Sequence, residues 1–204
     1  MKKIIYLMVC AFSLGGVSQS VLAQIVVQAA SAKLQPQIGR DDKGYSTCGI
    51  HAVVLNIQGQ SVEVYDFSIN IRANMHVGLI KAGKMQTSTK EMLANKSLPI
   101  AVQPAPINFW IAKEAEGSAL RLQKIIPVDT PGYILAGADL VKTYDILLGM
   151  ANGERIQFAT RYKSQRLDTV VSFGTALQDV EFQPLITCLN GVTDRLQNEA
   201  DSQD

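Results

Sequence analysis

Short apolar stretches separated by turn residues dominate the first half of this chain. Residues 48–58 are rich in Val, Ile and Leu, and residues 61–73 carry large apolar side chains at alternate positions: Tyr65, Phe67, Ile69 and Ile71. Side chains two positions apart share one face of a strand, so this period predicts a half-buried strand. Gly59-Gln60 supplies a turn between the two stretches. We therefore predict a β-hairpin, which residues 75–82 extend to a three-stranded meander.

Further apolar runs of strand length follow later in the chain: residues 106–112, 120–128, 132–136, 156–162 and 167–173. Turn sequences such as Thr130-Pro131-Gly132 lie between them. The last two runs predict a second hairpin. Many short strands with few helices indicate an α+β fold that is mainly antiparallel β. We predict a sandwich of about eight strands with two helices.

Two segments have apolar residues at helical spacing. The first stripe follows Asp139, a suitable N-cap: Leu140, Tyr144, Leu147, Leu148 and Ala151. Asn152-Gly153 is expected to end that helix with a left-handed residue. The second stripe follows Pro184, which we expect in the first helical turn: Leu185, Cys188, Leu189 and Val192. Cys188 should therefore lie on the buried face of the closing helix.

Residues 1–23 have the features of a cleavable secretory signal peptide. Two lysines, Lys2 and Lys3, precede an apolar stretch from Ile4 to Val17, and Val21-Leu22-Ala23 provides a cleavage site that ends in a small residue. The apolar stretch is too short for a membrane-spanning helix, which needs about 20 residues. We therefore expect a periplasmic or secreted protein with no stable membrane insertion after cleavage.

The remaining chain is long enough for one domain. We expect an extended lead-in over residues 24–44, a single β-sandwich-like domain over 45–196 and an acidic disordered tail over 197–204. Residues 83–100 are polar and predict a long loop, and long loops often carry function. Its candidate binding residues are Lys84, Thr87, Thr89 and Lys90.

The balance of charge argues against two classes of partner. Without Lys2 and Lys3, the 19 basic residues become 17, against 18 acidic ones. A nearly neutral chain without a basic cluster is a poor ligand for nucleic acid or an anionic membrane surface. A protein partner in the cell envelope fits this composition better.

Two cysteines, Cys48 and Cys188, remain once Cys10 leaves with the signal peptide. In an oxidising compartment a pair of cysteines favours one disulfide. With the two histidines, His51 and His76, the same cysteines could instead form a tetrahedral zinc site. A catalytic Cys48 thiol with His76 as its base is a third interpretation, which the second cysteine disfavours.

The common signatures of catalysis are absent from the sequence. It has no Gly-x-Ser-x-Gly motif and no glycine-rich phosphate loop, and we predict no cofactor. Four carboxylates could include a glycosidase pair, although scattered charges more often mark a solvated face: Glu63, Asp66, Asp168 and Asp179. Trp110 could form a binding platform with Asn108, Phe109 and Tyr65, but a single tryptophan between apolar residues favours the core.

The last part of the chain also suggests a family. A strand from Gly132 is followed by a helix that begins at Asp139-Leu140, by a hairpin and by Val171-Ser172-Phe173-Gly174-Thr175-Ala176-Leu177. This order resembles the C-terminal half of the proteins named for invasion-associated locus B, small exported proteins of proteobacteria. The resemblance implies an exported location and a β-sandwich fold, and it implies no functional residue.

These observations favour a non-enzymatic module that binds an envelope protein through a sheet edge or the 83–100 loop. One alternative is an envelope hydrolase with an active site assembled from distant residues. Another is a secreted enzyme inhibitor that uses the 83–100 loop. A concave cluster of titratable side chains would favour the enzyme, an exposed apolar patch beside an open strand would favour binding, and a rigid projecting loop would favour the inhibitor.

Overall fold

Two β-sheets packed face to face form the body of the computed structural model, which describes residues 24–201 except 90, 92–93, 95–98, 117–118 and 127. The strands in chain order are β1 (Gln24–Gln28), β2 (Ser31–Asp41), β3 (Gly44–Gln58), β4 (Ser61–Arg72), β5 (Gly78–Ser88), β6 (Ile100–Ala101), β7 (Asn108–Lys113), β8 (Leu120–Arg121), β9 (Lys124–Ile126), β10 (Tyr133–Ala138), β11 (Ile156–Arg161) and β12 (Asp168–Phe173). The predicted α+β sandwich, mainly antiparallel, is confirmed.

The larger sheet has the strand order β2-β3-β4-β5-β10-β9, with β6 paired to β5. The smaller sheet has the order β1-β12-β11-β7-β8. All pairings are antiparallel except that of β1 with β12. The predicted hairpins correspond to β3–β4 and β11–β12.

The inner faces of the two sheets enclose the core. At its centre is a cluster of aromatic rings from both sheets: Tyr65, Phe67, Phe109, Phe158 and Phe173. Ile69 and Ile71 complete the predicted apolar face of β4, and both are buried. Because every second residue of β4 faces the core, the residues between them lie on the outer face of the larger sheet.

Two helices cover the open parts of the core, α1 (Leu140–Ala151) and α2 (Asp179–Asp201). The Asp139 carboxylate accepts the Lys142 backbone N–H at 2.8 Å, and Gly153 has a φ of +77°, so both predicted ends of α1 are confirmed. The predicted start of α2 at Pro184 is wrong, because the helix begins at Asp179. Asp179 and Glu181 lie in its first turn, where carboxylates are favourable to the helix dipole.

A disulfide ties α2 to the larger sheet. Cys48 of β3 and Cys188 of α2 are fully buried and bonded, with their Cα atoms 5.8 Å apart. The predicted pairing and the buried position of Cys188 are confirmed. The two sulfur atoms that the alternative zinc site requires are therefore bonded to each other and are not free to bind zinc.

The ends of the domain differ from the sequence-based boundaries. Residues 24–44 are extended, but they form β1 and β2, so strand pairing begins at residue 24 instead of near residue 45. At the other end, α2 continues to Asp201 through most of the segment predicted as a tail. The predicted signal peptide and residues 202–204 lie outside the described residues.

No helix in the described part of the chain combines the length and the apolar character that crossing a bilayer requires.

Candidate functional site

A polar groove crosses the outer face of the larger sheet from β2 to β10. Its main cavity has a volume of about 770 Å³, and an adjoining one has about 280 Å³. The two share four lining residues: Gln37, Ser68, Lys81 and Thr130. Four strand spacings separate β2 from β10, which gives a width of about 19 Å. The residues between β9 and β10, 128–130, form one wall of the groove.

Strand register sets the floor of the groove. His51, Ser68 and Lys81 lie directly opposite one another on β3, β4 and β5. Directly paired residues in a sheet point to the same face, so these three side chains form a polar row across the strands. The neighbouring row places Asp66 of β4 and Tyr133 of β10 on either side of Gly83.

Three of these side chains form a hydrogen-bonded array. His51 Nε2 is 2.7 Å from Asp66 Oδ1, and the Tyr133 hydroxyl donates to Asp66 Oδ2 at 2.8 Å. Gly83 makes this possible, because a Cβ there would lie 2.7 Å from the Tyr133 ring. The absence of a side chain at this position lets the ring lie against the sheet and reach Asp66.

Burial and the array make Tyr133 a weaker acid than a free tyrosine. Burial raises the pKa of Tyr133 well above its ordinary value of 10, and the hydrogen bond to Asp66 and its negative charge raise it further. Tyr133 therefore keeps its proton at neutral pH and acts as a hydrogen-bond donor. His51 and Asp66 are each about a quarter exposed, so a ligand in the groove can reach them.

Two cations border the array. Lys81 donates to the Thr130 hydroxyl at 2.9 Å, and its ammonium lies 5.1 Å from the centre of the Tyr133 ring. Arg72 lies further along β4 and is exposed. Neither Lys81 nor Arg72 forms a salt bridge within the described residues, whereas Asp66 and Asp129 contribute two carboxylates to the same groove. The two cations are thus free of salt bridges, and the two carboxylates of the groove balance their formal charge.

The residues predicted in the 83–100 loop do not form one surface. Strand β5 continues to Ser88, so Lys84 and Thr87 are strand residues, and Lys84 is buried. The Thr89 hydroxyl donates to the Gly59 carbonyl at 3.3 Å. Lys90 lies outside the described residues. The prediction of Lys84 in an exposed loop is wrong, because its ammonium pairs with Glu63 Oε1 at 2.7 Å inside the sandwich.

Trp110 lies on the outer face of the smaller sheet. Its neighbour Phe109 takes the inner face and is buried, so alternation along β7 turns Trp110 outward and leaves it half-buried. The preference for a core tryptophan is therefore wrong. Trp110 borders a depression of about 600 Å³ that also contains Asn108, Gln157 and Arg121.

The other candidate residues are dispersed. His76 is exposed between β4 and β5, away from His51 in the sheet. Asp168 pairs with Arg161 on the smaller sheet, and Asp179 begins α2. Within the described residues, no three His, Cys, Asp or Glu side chains lie close enough together to hold a metal ion.

Sequence reasoning missed Tyr133, Lys81 and Thr130 as members of the site. Their positions depend on β10 and the 128–130 segment lying beside β5, a pairing between distant parts of the chain. His51 and Asp66 carry a weak local signal, since a two-residue turn at Gly59-Gln60 places them near each other.

Comparison with known proteins gives no relative. No protein-family model, curated protein or solved structure matches this chain.

Proposed function

We propose that this protein is a non-enzymatic, exported binding module that holds an extended segment of an envelope protein in its outer groove. The observation that carries the proposal is the hydrogen-bonded array of His51, Asp66 and Tyr133 on the floor of a wide polar groove. Clefts with a few convergent polar groups are the usual places for ligands.

The dimensions of the groove suit an extended peptide. Its width of about 19 Å corresponds to about six residues of extended chain at about 3.3 Å per residue. The row of His51, Ser68 and Lys81 crosses the strands, so a peptide in the groove would meet these side chains in succession. This mode uses the face of the sheet, whereas the predicted modes used a sheet edge or a loop.

The chemistry of the array favours binding over catalysis. Asp66 already accepts hydrogen bonds from Tyr133 and contacts His51, so its two oxygens serve to orient the neighbours. Tyr133 is protonated at neutral pH, and its raised pKa makes it a weaker acid that stays a hydrogen-bond donor. Oriented donors beside partly exposed acceptors are suited to recognising a polar main chain and its side chains.

The unpaired cations indicate the character of the segment. Lys81 and Arg72 lie along the groove without an acidic partner among the described residues. A carboxylate in the ligand could pair with Lys81 while the main chain bonds to the array. We therefore expect the bound segment to contain at least one Asp or Glu.

Site-specific photocrosslinking in living cells tests the proposal. A photoreactive amino acid replaces Ser68 in the groove, and in a control protein it replaces Lys142, which is exposed on α1. We expect Ser68 to give one adduct that maps to a single acidic segment of an envelope protein, and Lys142 to give none. Adducts of equal yield from both positions, or none from the groove, would contradict the proposal.

A binding measurement with the mapped segment provides the second step. The synthetic peptide should bind the purified protein, and Lys81→Gln should weaken binding while Lys142→Gln leaves it unchanged. Losing a charge-assisted hydrogen bond costs about 1.5–3 kcal/mol, which corresponds to a roughly 10- to 150-fold weaker affinity. Equal affinities for the two variants would show that the groove is not the binding site.

A further inference from the structure

A depression of about 600 Å³ lies beside Trp110 on the outer face of the smaller sheet, towards the edge strand β8. The two sheets pack through their inner faces, so this tryptophan depression and the polar groove of the larger sheet lie on opposite sides of the sandwich. The two share no lining residue. Six aromatic, polar or charged side chains on the outer face line the depression: Asn108, Trp110, Arg121, Gln157, Arg161 and Asp168.

Strand register brings Trp110 beside a cation. Trp110 of β7 is paired directly with Arg121 of β8 and with Ala159 of β11. Directly paired residues point to the same face with their Cβ atoms about 4.5–5.5 Å apart, so the indole and the guanidinium belong to one surface. Ala159 is only 1% exposed, and its small side chain leaves space for the half-buried indole to lie against the sheet.

Trp110 and Arg121 have no partners of their own. Arg121 is exposed, and it forms neither a salt bridge nor a side-chain hydrogen bond in the part of the chain that the structure describes. Among the same residues, the indole N–H has no acceptor and no cation lies over the Trp110 ring. A ligand in the depression can therefore use both groups.

The charged residues that line the depression leave one positive charge without a counter-ion. Arg161 Nε is 2.6 Å from Asp168 Oδ1, and Asp168 is 4% exposed, so these two charges balance each other. Arg121 is the other charged lining residue. A guanidinium presents a planar fork of donors that matches the two oxygens of a carboxylate. The depression is thus complementary to a ligand that carries a carboxylate.

The remaining groups suit a ring that carries hydroxyl groups. An indole offers a large flat apolar surface, and the C–H groups on one face of a pyranose ring can be buried against it. The amides of Asn108 and Gln157 provide both donors and acceptors, as sugar hydroxyls do. In a uronic acid the carboxylate is attached directly to the ring. A ring that lies on Trp110 therefore brings its carboxylate close to the neighbouring Arg121.

We propose that the tryptophan depression binds an acidic sugar, a uronic acid unit of an oligosaccharide. The sugar ring packs on Trp110, its carboxylate pairs with Arg121, and its hydroxyl groups bond to Asn108 and Gln157. This site does not depend on the proposed peptide groove, so failure of one leaves the other standing.

The fluorescence of Trp110 provides a direct assay, because it is the single tryptophan of the chain. Three probes separate the contributions of ring and charge. Trigalacturonate carries both, its methyl ester keeps the rings without the charges, and triglutamate keeps the charges without the rings. Trigalacturonate should give a saturable change in fluorescence. The methyl ester should bind roughly 10-fold or more weakly, the loss expected for a hydrogen bond to a charged group, and triglutamate should also bind more weakly than trigalacturonate.

Calorimetric titration with trigalacturonate tests the individual side chains. Arg121→Gln should weaken binding roughly 10-fold or more, and because Arg121 is exposed the variant should keep its fold. Trp110→Leu removes the flat ring and should weaken binding as well. Lys142→Gln is the matched control, because it removes an exposed charge on α1, and it should leave the affinity unchanged.

Three results would each overturn the proposal. The first is the absence of a saturable fluorescence change with trigalacturonate. The second is an equal affinity for the methyl ester or for triglutamate, which would show that the carboxylate or the sugar ring is not recognised. The third is an equal affinity for trigalacturonate in Arg121→Gln and Lys142→Gln, which would place the binding site elsewhere.

Discussion

Removing the disulfide should cost this protein a large part of its stability. Cys48 and Cys188 are 140 positions apart, so the bond closes most of the described chain into one loop. A cross-link stabilises chiefly by restricting the unfolded chain, and the effect grows with the logarithm of the loop length. For a loop of this size the chain-entropy model gives about 5 kcal/mol at 25 °C. Many domains have a total stability of only about 5–15 kcal/mol.

The assay is equilibrium unfolding in urea of the wild type and of Cys48→Ala, Cys188→Ala and the double variant. With a urea dependence of about 2 kcal/mol per molar, a loss of 5 kcal/mol lowers the midpoint by roughly 2–3 M. Either single substitution already breaks the cross-link, so the double variant should be little less stable than either single one. Both positions are fully buried, so small packing losses will add to the effect.

Two outcomes would refute this reasoning. If the reduced wild type unfolds at the same urea concentration as the oxidised protein, the cross-link contributes no stability. If the two single losses add to give the loss in the double variant, the effect comes from local packing at each cysteine instead of from the shared bond.

Three further predictions concern residues of the larger sheet. Asp66→Asn should lower the pKa of Tyr133, although burial keeps that pKa above 10. Ultraviolet titration would measure it, with the double variant Asp66→Asn/Tyr133→Phe as the reference that identifies the Tyr133 signal. An unchanged Tyr133 pKa would contradict the hydrogen-bonded array. Lys84→Met leaves Glu63 half-buried without its cation and should destabilise the fold by about 3 kcal/mol in urea unfolding at pH 7. The folded-state pKa of Glu63 lies below its ordinary value of 4.5, so its pairing with Lys84 stabilises the wild type above pH 4.5, and this stability is lost as the pH falls through the folded-state pKa. The loss of stability in acid should therefore be smaller in Lys84→Met than in the wild type. An identical loss of stability in acid for both proteins would argue against the pair. Gly83→Ala forces a Cβ into the Tyr133 ring and should cost about 1–3 kcal/mol in thermal unfolding, and a neutral result would mean that the ring moves freely.

The local pattern of the sequence is enough to predict much of the larger sheet. A two-residue turn at Gly59-Gln60 pairs residue 58 with residue 61, and this register places His51 opposite Ser68 and diagonal to Asp66. Two of the three members of the polar array therefore follow from one predicted hairpin. Tyr133 does not, because it reaches Asp66 across 67 positions of sequence and only after β10 pairs with β5.

The two wrong strand boundaries have different physical causes. The sequence predicts that β5 ends at Ala82 because residues 83–100 are polar, yet Lys84 is an inward-facing residue made compatible with burial by Glu63. A buried ion pair is indistinguishable from a surface charge when only one strand is read. Strand β2 was similarly missed, because an edge strand buries little and only Leu34 along it is fully buried.

The parallel pairing of β1 with β12 constrains how this chain can assemble. Gln24 is opposite Asp168 and Gln28 is opposite Ser172, so the earliest described strand has its partner near the end of the sheet-forming sequence. If the chain crosses the membrane N-terminus first, as its sequence predicts, β1 must wait for about 140 residues to emerge before it finds its place. Such non-local contacts slow folding and leave strands exposed in the meantime. A chain interrupted before β12 would therefore lack the strand with which β1 pairs in the smaller sheet.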